Sequence, residues 1–513
     1  MTLQDAAPGT PSSDGDWLRV HPASPFVRGW VALAAVGYFF GRETFERMLQ
    51  GRDLIDPNLN GRAPLLLFGG IALLLLTVAG FILSWYFTRY QVAGGYVRVN
   101  TGFLFRQQRQ ARLDRVQAID IVQPLLARIF GLAELKFEVA DASESAVRLA
   151  YLRLDDAKQL RATILARASG AVTGPDIAPA PEAPEYPVLS VPPQRLVGSL
   201  ILSEQSVFIL LGAVASVVLS TLTENRAFFL YLIPAALGLA ATYWSSFNKG
   251  YNFTAAISPD GIRLRYGLLD TQAQTLPPNR IQALRVVQPP LWRMFGWYRM
   301  QVNVAGYGLV GNGAEAGSRT TLLPVGSKSD VMRMLSLVLP DPGTDQPERV
   351  FTAGLDGLDS DGGFVTTPRR ARFLAPLGWR RNGFAATGTA LLLRSGRWWH
   401  QLVVVPHQRT QSMALEQGPL ARLFRVADLV LHTTAGPVSP RLIQADEQEA
   451  LQLFDAQAAR AREARKRQTS EQWLAQVAPT PVVEPVETEP VETPDLDKLD
   501  HQTYPKQEDR HHG

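Results

Sequence analysis

The 513-residue chain contains no cysteine. That excludes disulfides, thiolate nucleophiles and cysteine metal sites, and it suits a reducing, cytoplasmic setting. Histidine is scarce. Of seven residues, one is His21 and the other six lie from His400 onward, three of them (His501, His511, His512) close to the end. His407 has no other histidine at metal-ligand spacing, so neither a metal nor another cofactor is expected. No P-loop occurs and no G-x-G-x-x-G follows a strand. The glycine-rich stretch Val304 to Gly317 leads into no helix and is expected to be a flexible loop. Charged residues make up only 19% of the chain, against 46% apolar. The net charge of +4 conceals an asymmetry: from Gln476 onward nine acidic residues face three basic ones, leaving about +10 on the rest. A basic body suits a negatively charged neighbour, and the hydropathy pattern favours a membrane surface over nucleic acid, which is not expected as a partner. The N-terminal stretch has no basic n-region or apolar h-region and is expected to be a disordered tail.

Long uncharged runs are present. Pro64 to Phe87 is uncharged throughout and ends in Trp85 and Tyr86, long enough for a ~30 Å hydrocarbon core with an interfacial aromatic anchor. Ser206 to Leu222 and Ala227 to Phe247 form two more runs separated only by "TENR", which predicts a tight helical hairpin. Gly29 to Gly41, flanked by Arg28 and Arg42, is shorter and spans only if those arginines snorkel. Arg19, Arg28, Arg89, Arg195 and Lys249 beside the run ends lean towards cytoplasmic soluble parts. The three strong runs hold no ionisable residue, which disfavours transport.

One sentence is written three times. Ungapped, the copies share G-x4-Q-x7-R-x-Q-x5-Q-x2-L-x-R-φ-F. The first copy carries Gly102, Gln107, Arg115, Gln117, Gln123, Leu126, Arg128 and Phe130. The second carries Gly267, Gln272, Arg280, Gln282, Gln288, Leu291, Arg293 and Phe295. The third carries Gly396, Gln401, Arg409, Gln411, Gln417, Leu420, Arg422 and Phe424. Internal duplication is the strongest signal in the chain. Period-two alternation from the second to the third glutamine predicts a strand. The following L-x-R-φ-F places three apolar groups on one side of a helical turn, where they are expected to cap an apolar interior while the arginine points out. Further short strands and a C-terminal amphipathic helix complete each copy, as a small barrel plugged at one end.

The third copy's "VPHQRTQSMALEQGPLARLF" resembles the PHxRxQ…Q-G-P-L-x-R signature of bacterial pleckstrin-homology (PH) domain membrane proteins of the YdbT type, and the resemblance spans roughly Trp17 to Arg467. It implies three PH-like domains interleaved with pairs of transmembrane helices, and binding without a known catalytic reaction. The first two copies depart from it, with "RLDR" and "PPNR" where the third has Pro-His, and Arg425 stands where they have Gly131 and Gly296.

The expected fold is therefore a membrane protein with about four transmembrane α-helices in two hairpins plus three PH-like small β-barrel domains, each with a C-terminal helix. The expected segments are a tail (1–25), a transmembrane hairpin (26–88), a first PH-like domain (89–169), a Pro/Ala linker (170–195), a second hairpin (196–248) and a second domain (249–340). A mobile Gly/Asp-rich linker (341–366), a third domain (367–467) and an acidic disordered tail (468–513) follow. The repeated glutamines suit structural hydrogen bonds best, with ligand contact as the alternative. Arg115, Arg280 and Arg409 could hold phosphate headgroups or acidic partners, although their presence in every copy also suits a fold-defining bond. His407 is where a special property of the third domain would lie. In Thr367 to Phe384, Arg369, Arg370, Arg372, Arg380 and Arg381 alternate with Phe373, Leu374 and Trp379. That mixture suits an anionic interface or an entry strand with solvated arginines. The functional expectation is a non-enzymatic membrane scaffold with its domains and both termini in the cytoplasm. Its partners would be membrane lipid and a membrane protein, the latter possibly a smaller PH-domain relative. An anionic-lipid or envelope-stress sensor is the alternative.

Overall fold

The computed structural model describes residues 17–24, 26, 27, 29, 62–93, 96–102, 106–112, 116–139, 147–168, 185–223, 232–258, 261–277, 280–305 and 320–467. In the first repeat these are β1 (Leu18–Arg19), α1 (Arg62–Phe87), β2 (Arg89–Ala93), β3 (Tyr96–Thr101), β4 (Gln107–Arg112), β5 (Val116–Gln123), the one-turn α2 (Leu125–Ile129), β6 (Leu132–Val139), β7 (Val147–Arg153) and α3 (Leu154–Ala168). The second has β8 (Tyr186–Ser190), α4 (Pro193–Ile201), α5 (Glu204–Thr223), α6 (Leu232–Gly250), β9 (Thr254–Ser258), β10 (Gly261–Tyr266), β11 (Thr271–Leu276) and β12 (Ile281–Gln288). A 3-10 turn (Leu291–Phe295), β13 (Tyr298–Val304), β14 (Thr321–Gly326) and α7 (Lys328–Val338) close it. The third has α8 (Pro347–Leu355), β15 (Val365–Thr366), β16 (Gly383–Ala386), β17 (Ala390–Ser395), β18 (His400–Pro406), β19 (Ser412–Glu416), α9 (Pro419–Leu423), β20 (Val426–His432), β21 (Arg441–Asp446) and α10 (Glu447–Arg467).

The repeats share their sheets. Instead of three closed barrels there are open antiparallel sheets, ordered β1-β2-β3-β4, β7-β6-β5-β11-β10-β9-β8, β14-β13-β12-β18-β17-β16-β15 and β19-β20-β21. The last three strands of one repeat thus continue into the first strands of the next. Both junctions use one register. Gln123 pairs with Thr271 and Val122 with Gln272 in the first; Gln288 pairs with His400 and Val287 with Gln401 in the second. These are equivalent positions of the repeated sentence.

Burial explains the strand composition. In β17 and β18 the side chains of Leu391, Leu393, Val403 and Val405 enter the third repeat's own core against β20 and α10. The alternate residues Ala390, Leu392, Leu402 and Val404 enter a second core with α7, α8 and Phe364. A strand buried on both faces must be apolar throughout, as "ALLLRS" and "HQLVVV" nearly are. In β3, by contrast, Val97 and Val99 are buried while Tyr96, Arg98 and Asn100 are only half-buried, the alternation of a strand with one covered face.

Three further expectations need correction. The four membrane-crossing helices do not appear: among the described residues one helix, α5, is long and apolar enough to cross a bilayer, and Ala72–Phe87, the later part of α1, is a shorter apolar stretch. α6 ends in Ser245, Ser246, Asn248 and Lys249, polar groups that sit poorly in hydrocarbon; residues 30–41 and 224–231 lie outside the described residues. The segment 341–366 is not a mobile linker. Its α8 buries Phe351, Ala353 and Leu355, because the outer face of the third repeat's first sheet requires an apolar cover. Finally, the L-x-R-φ-F turns cap no interior: Ile129, Phe130, Met294, Phe295 and Leu423 are all more than half exposed. The glycine-rich 306–319 stretch and both expected terminal tails fall outside the described residues, apart from 17–24.

Candidate interaction surface

The repeated letters assemble the junctions. Gly267 and Gly396 take φ of +116° and +84° in the hairpins before β11 and β18. A Cβ there would lie 2.0 Å from the Asp270 carbonyl oxygen and 1.9 Å from that of Trp399, so only glycine fits. Gly102 has φ +94° at the matching place. Arg128 Nη1 donates to the carbonyl after Gly267, that of Leu268 (3.3 Å). Arg293 Nη1 donates to the carbonyl after Gly396, that of Arg397 (3.5 Å). The turn of one repeat thus clamps the hairpin of the next. Gln123 Nε2 donates to Leu132 O (3.1 Å) and Gln417 Nε2 to Val426 O (3.2 Å), one bond in two copies that ties strand to strand across the helical turn. Gln288 is buried at the second junction.

Both junctions lie at one end of the apolar helices. Ser206 near the start of α5 hydrogen-bonds Tyr243 near the end of α6, so those two ends are neighbours. At the α6 end, Gly267 N donates to Tyr251 O (2.8 Å), Leu268 N to Asn248 O (2.9 Å) and Leu269 N to Asn248 Oδ1 (2.7 Å). At the α5 end, Trp399 Nε1 donates to Glu204 Oε2 (3.1 Å). The short α4 joins the same cluster, with Trp292 Nε1 donating to Ser199 O (3.1 Å) and Trp297 stacked on Phe295 (4.9 Å between rings). The outward-facing groups here are Ile201, Met294, Phe295, Trp398 and Trp399, beside Arg293 and Arg397. Exposed aromatics and arginines at the mouth of an apolar helix match the chemistry of a bilayer interface.

The other sequence-derived candidates scatter. Arg115 and the side chain of Gln117 lie outside the described residues. Arg280 is half-buried at the start of β12, where its carbonyl accepts from Ala305 N (2.9 Å) and Gln282 Nε2 (3.3 Å). Arg409 is half-buried and Gln411 exposed, with Gln411 N donating to His432 O (3.1 Å). His407 is fully buried: its Nε2 meets Thr387 O at 2.9 Å, its N–H donates to Thr389 O, and burial lowers its pKa. Arg422 is exposed and Phe424 half-buried.

The arginine-rich segment divides in the same way. Arg370 donates to the carbonyls of Phe424 (2.8 Å) and Arg425 (2.9 Å) and pairs with Asp446. It thereby holds the left-handed turn in which Arg425, at φ +49°, replaces the glycines Gly131 and Gly296. Arg380 pairs with Asp359. Arg381 is 1% exposed and donates to the carbonyls of Gly354, Leu355 and Gly357 at the end of α8 (3.0, 2.6 and 2.8 Å). Burial lowers its pKa to about 9, with neighbouring Arg394 adding to the effect. Arg369, Arg372, Phe373 and Leu377 face solvent, with Arg372 over the Phe373 ring (4.9 Å), while Trp379 is half-buried.

Sequence reasoning passed over two residues. Arg394 is buried on the Phe364 ring and donates to Arg381 O, Ala353 O and Asp359 O (2.9, 2.8 and 2.6 Å). Asn303 of β13 is buried in the loop before β21, donating to Thr434 O and Val438 O and accepting from Val438 N (3.2, 2.6 and 2.9 Å). Neither occupies a repeated position of the skeleton. The only available signal was a lone charge or amide inside an apolar run.

Comparison with known proteins agrees with the threefold repetition. A curated relative, the UPF0699 transmembrane protein YdbT of Bacillus subtilis (strain 168), is 22% identical over 303 residues, which is 53% of this chain and 61% of the relative. The chain thus matches somewhat less than two thirds of that protein's length. The profile of the family described as Bacterial PH domain matches residues 32–168, 206–340 and 364–460, more than half of the chain and one match per repeat. This protein therefore belongs to the bacterial PH domain family.

Proposed function

We propose that the chain is a non-enzymatic, membrane-anchored scaffold that lays its PH-like domains edge to edge along the bilayer and offers them to a membrane protein partner. The carrying observation is the gathering of both junctions at the α5/α6 end, where Trp399 meets Glu204 and the apolar turn of the second repeat faces out. The apolar α5 and the relative's description as a transmembrane protein support the membrane setting. The lysines and arginines beside the apolar runs favour the cytoplasmic face. A second reading, anionic-lipid sensing, is favoured by Arg293 and Arg397 next to exposed aromatics.

Mild-detergent purification from native membranes, followed by protein and lipid mass spectrometry, tests both readings. Wild type should retain a stoichiometric membrane protein, and Met294→Glu/Phe295→Glu should lose it while staying folded. Retention of anionic lipid alone, released steeply by salt, selects the sensor. Loss of neither on substitution rejects the surface.

A further inference from the structure

Each junction joins a strand of the β5 class to a strand of the β11 class, and two such strands are left over. β19 occupies the place of β5 and β12 in the repeated sentence, yet it stands at the edge of its sheet. β4 occupies the place of β11 and β18, and it too stands at an edge. The molecule thus carries both halves of a third junction, one in its first repeat and one in its third. We infer that β19 of one copy pairs antiparallel with β4 of a second copy, so that the repeats continue head to tail from chain to chain. This rests on the scaffold reading and adds to it a second copy of this chain, held at sheet edges distinct from the Met294–Phe295 surface.

Three observations support that occupant. The two internal junctions share one register, which transfers without adjustment to Glu416 opposite Gln107, Leu415 opposite Gln108 and Ala414 opposite Arg109. Burial is incomplete where the neighbour would lie. Ile121 and Val286, the counterparts of Leu415, are 5% and 1% exposed beneath their junctions, whereas Leu415 is only partly buried. The clamp is also ready. Arg128 and Arg293 each reach the hairpin of the next repeat, while Arg422 is exposed and makes no such bond among the described residues.

The polar sequence of β4, "QQRQAR", resembles the blunted edge by which proteins avoid pairing. Yet β11, "TQAQTL", is similarly polar and is paired on both sides, so polarity does not distinguish a closed edge from a junction strand in this protein. A head-to-tail contact of unlike surfaces propagates into a ring or an open chain.

The absence of cysteine makes the test direct. Full-length chains with different tags, one carrying Glu416→Cys and the other Gln107→Cys, are co-expressed and oxidised in their membranes with copper–phenanthroline. Directly opposed strand residues lie within disulfide reach. The expected result is a cross-linked dimer containing both tags, and severalfold less with the off-register pair Glu416→Cys and Arg112→Cys. Val122→Cys/Gln272→Cys, placed in one chain at the first internal junction, verifies register and reagent by closing within the monomer. Both edge positions are exposed, so the substitutions leave the cores untouched. Closure of the internal pair with no cross-link between copies overturns the inference, as does equal cross-linking off register. If a different protein co-purifies in that case, the scaffold reading survives alone; if none does, both fail.

Discussion

His400 is the residue with the clearest consequence for pH. It faces Gln288 in the second junction and neither ring nitrogen has a hydrogen-bond partner among the described residues. Burial, reinforced by the charges of Arg381 and Arg293, lowers its pKa from 6.5 to about 4. Between those values the unfolded chain binds a proton that the folded one does not. Stability is therefore complete above pH 6.5 and is lost as pH falls towards 4, by on the order of 3 kcal/mol for such a shift. Buried His407, also lowered, adds in the same direction. In His400→Leu the fall in unfolding midpoint between pH 7 and pH 4 should be distinctly shallower; an unchanged slope would mean that His400 does not titrate in this window.

At the scale of elements, α8 belongs to two repeats at once. Its apolar face covers Leu392, Leu402 and Val404 of the third repeat's first sheet, and Arg381 and Arg394 satisfy carbonyls at its C-terminal end. An unsatisfied buried carbonyl costs about 1–3 kcal/mol, so helix and arginines stand or fall together. A fragment beginning at residue 364 should consequently expose the outer face of β17 and β18 and aggregate. One beginning at residue 341 should remain more soluble and more resistant to proteolysis. Equal behaviour of the two fragments would show that α8 is dispensable.

For the whole molecule, membrane attachment should depend on α5, most of whose side chains are exposed. Leu211→Arg/Val214→Arg places two charges mid-helix, each costing about 2.5–3.5 kcal/mol on insertion scales. Resistance of the protein to carbonate extraction from membranes should drop sharply in this variant. Full retention would assign anchoring to another segment, with Ala72–Phe87 the next apolar helix among the described residues.

Repeat number, strand positions and the family were legible in the sequence, because each depends on local periodicity and on spacing that survived duplication. Gly267 illustrates this: a tight hairpin needs that residue whatever surrounds it. The pairing of strands was not legible. A strand in its own barrel and a strand lent to its neighbour carry the same alternation, so only the tertiary structure revealed that β5 joins β11 and β12 joins β18. The orientation of the turns was not legible for a related reason, since L-x-R-φ-F defines an apolar side but not which way it faces. Arg381 points the same way: in sequence it is one arginine in a basic run, in space a buried cap on three carbonyls. The sequence by itself determined what each repeat is. The contacts between repeats, made by residues far apart in the chain, were decided only by the fold.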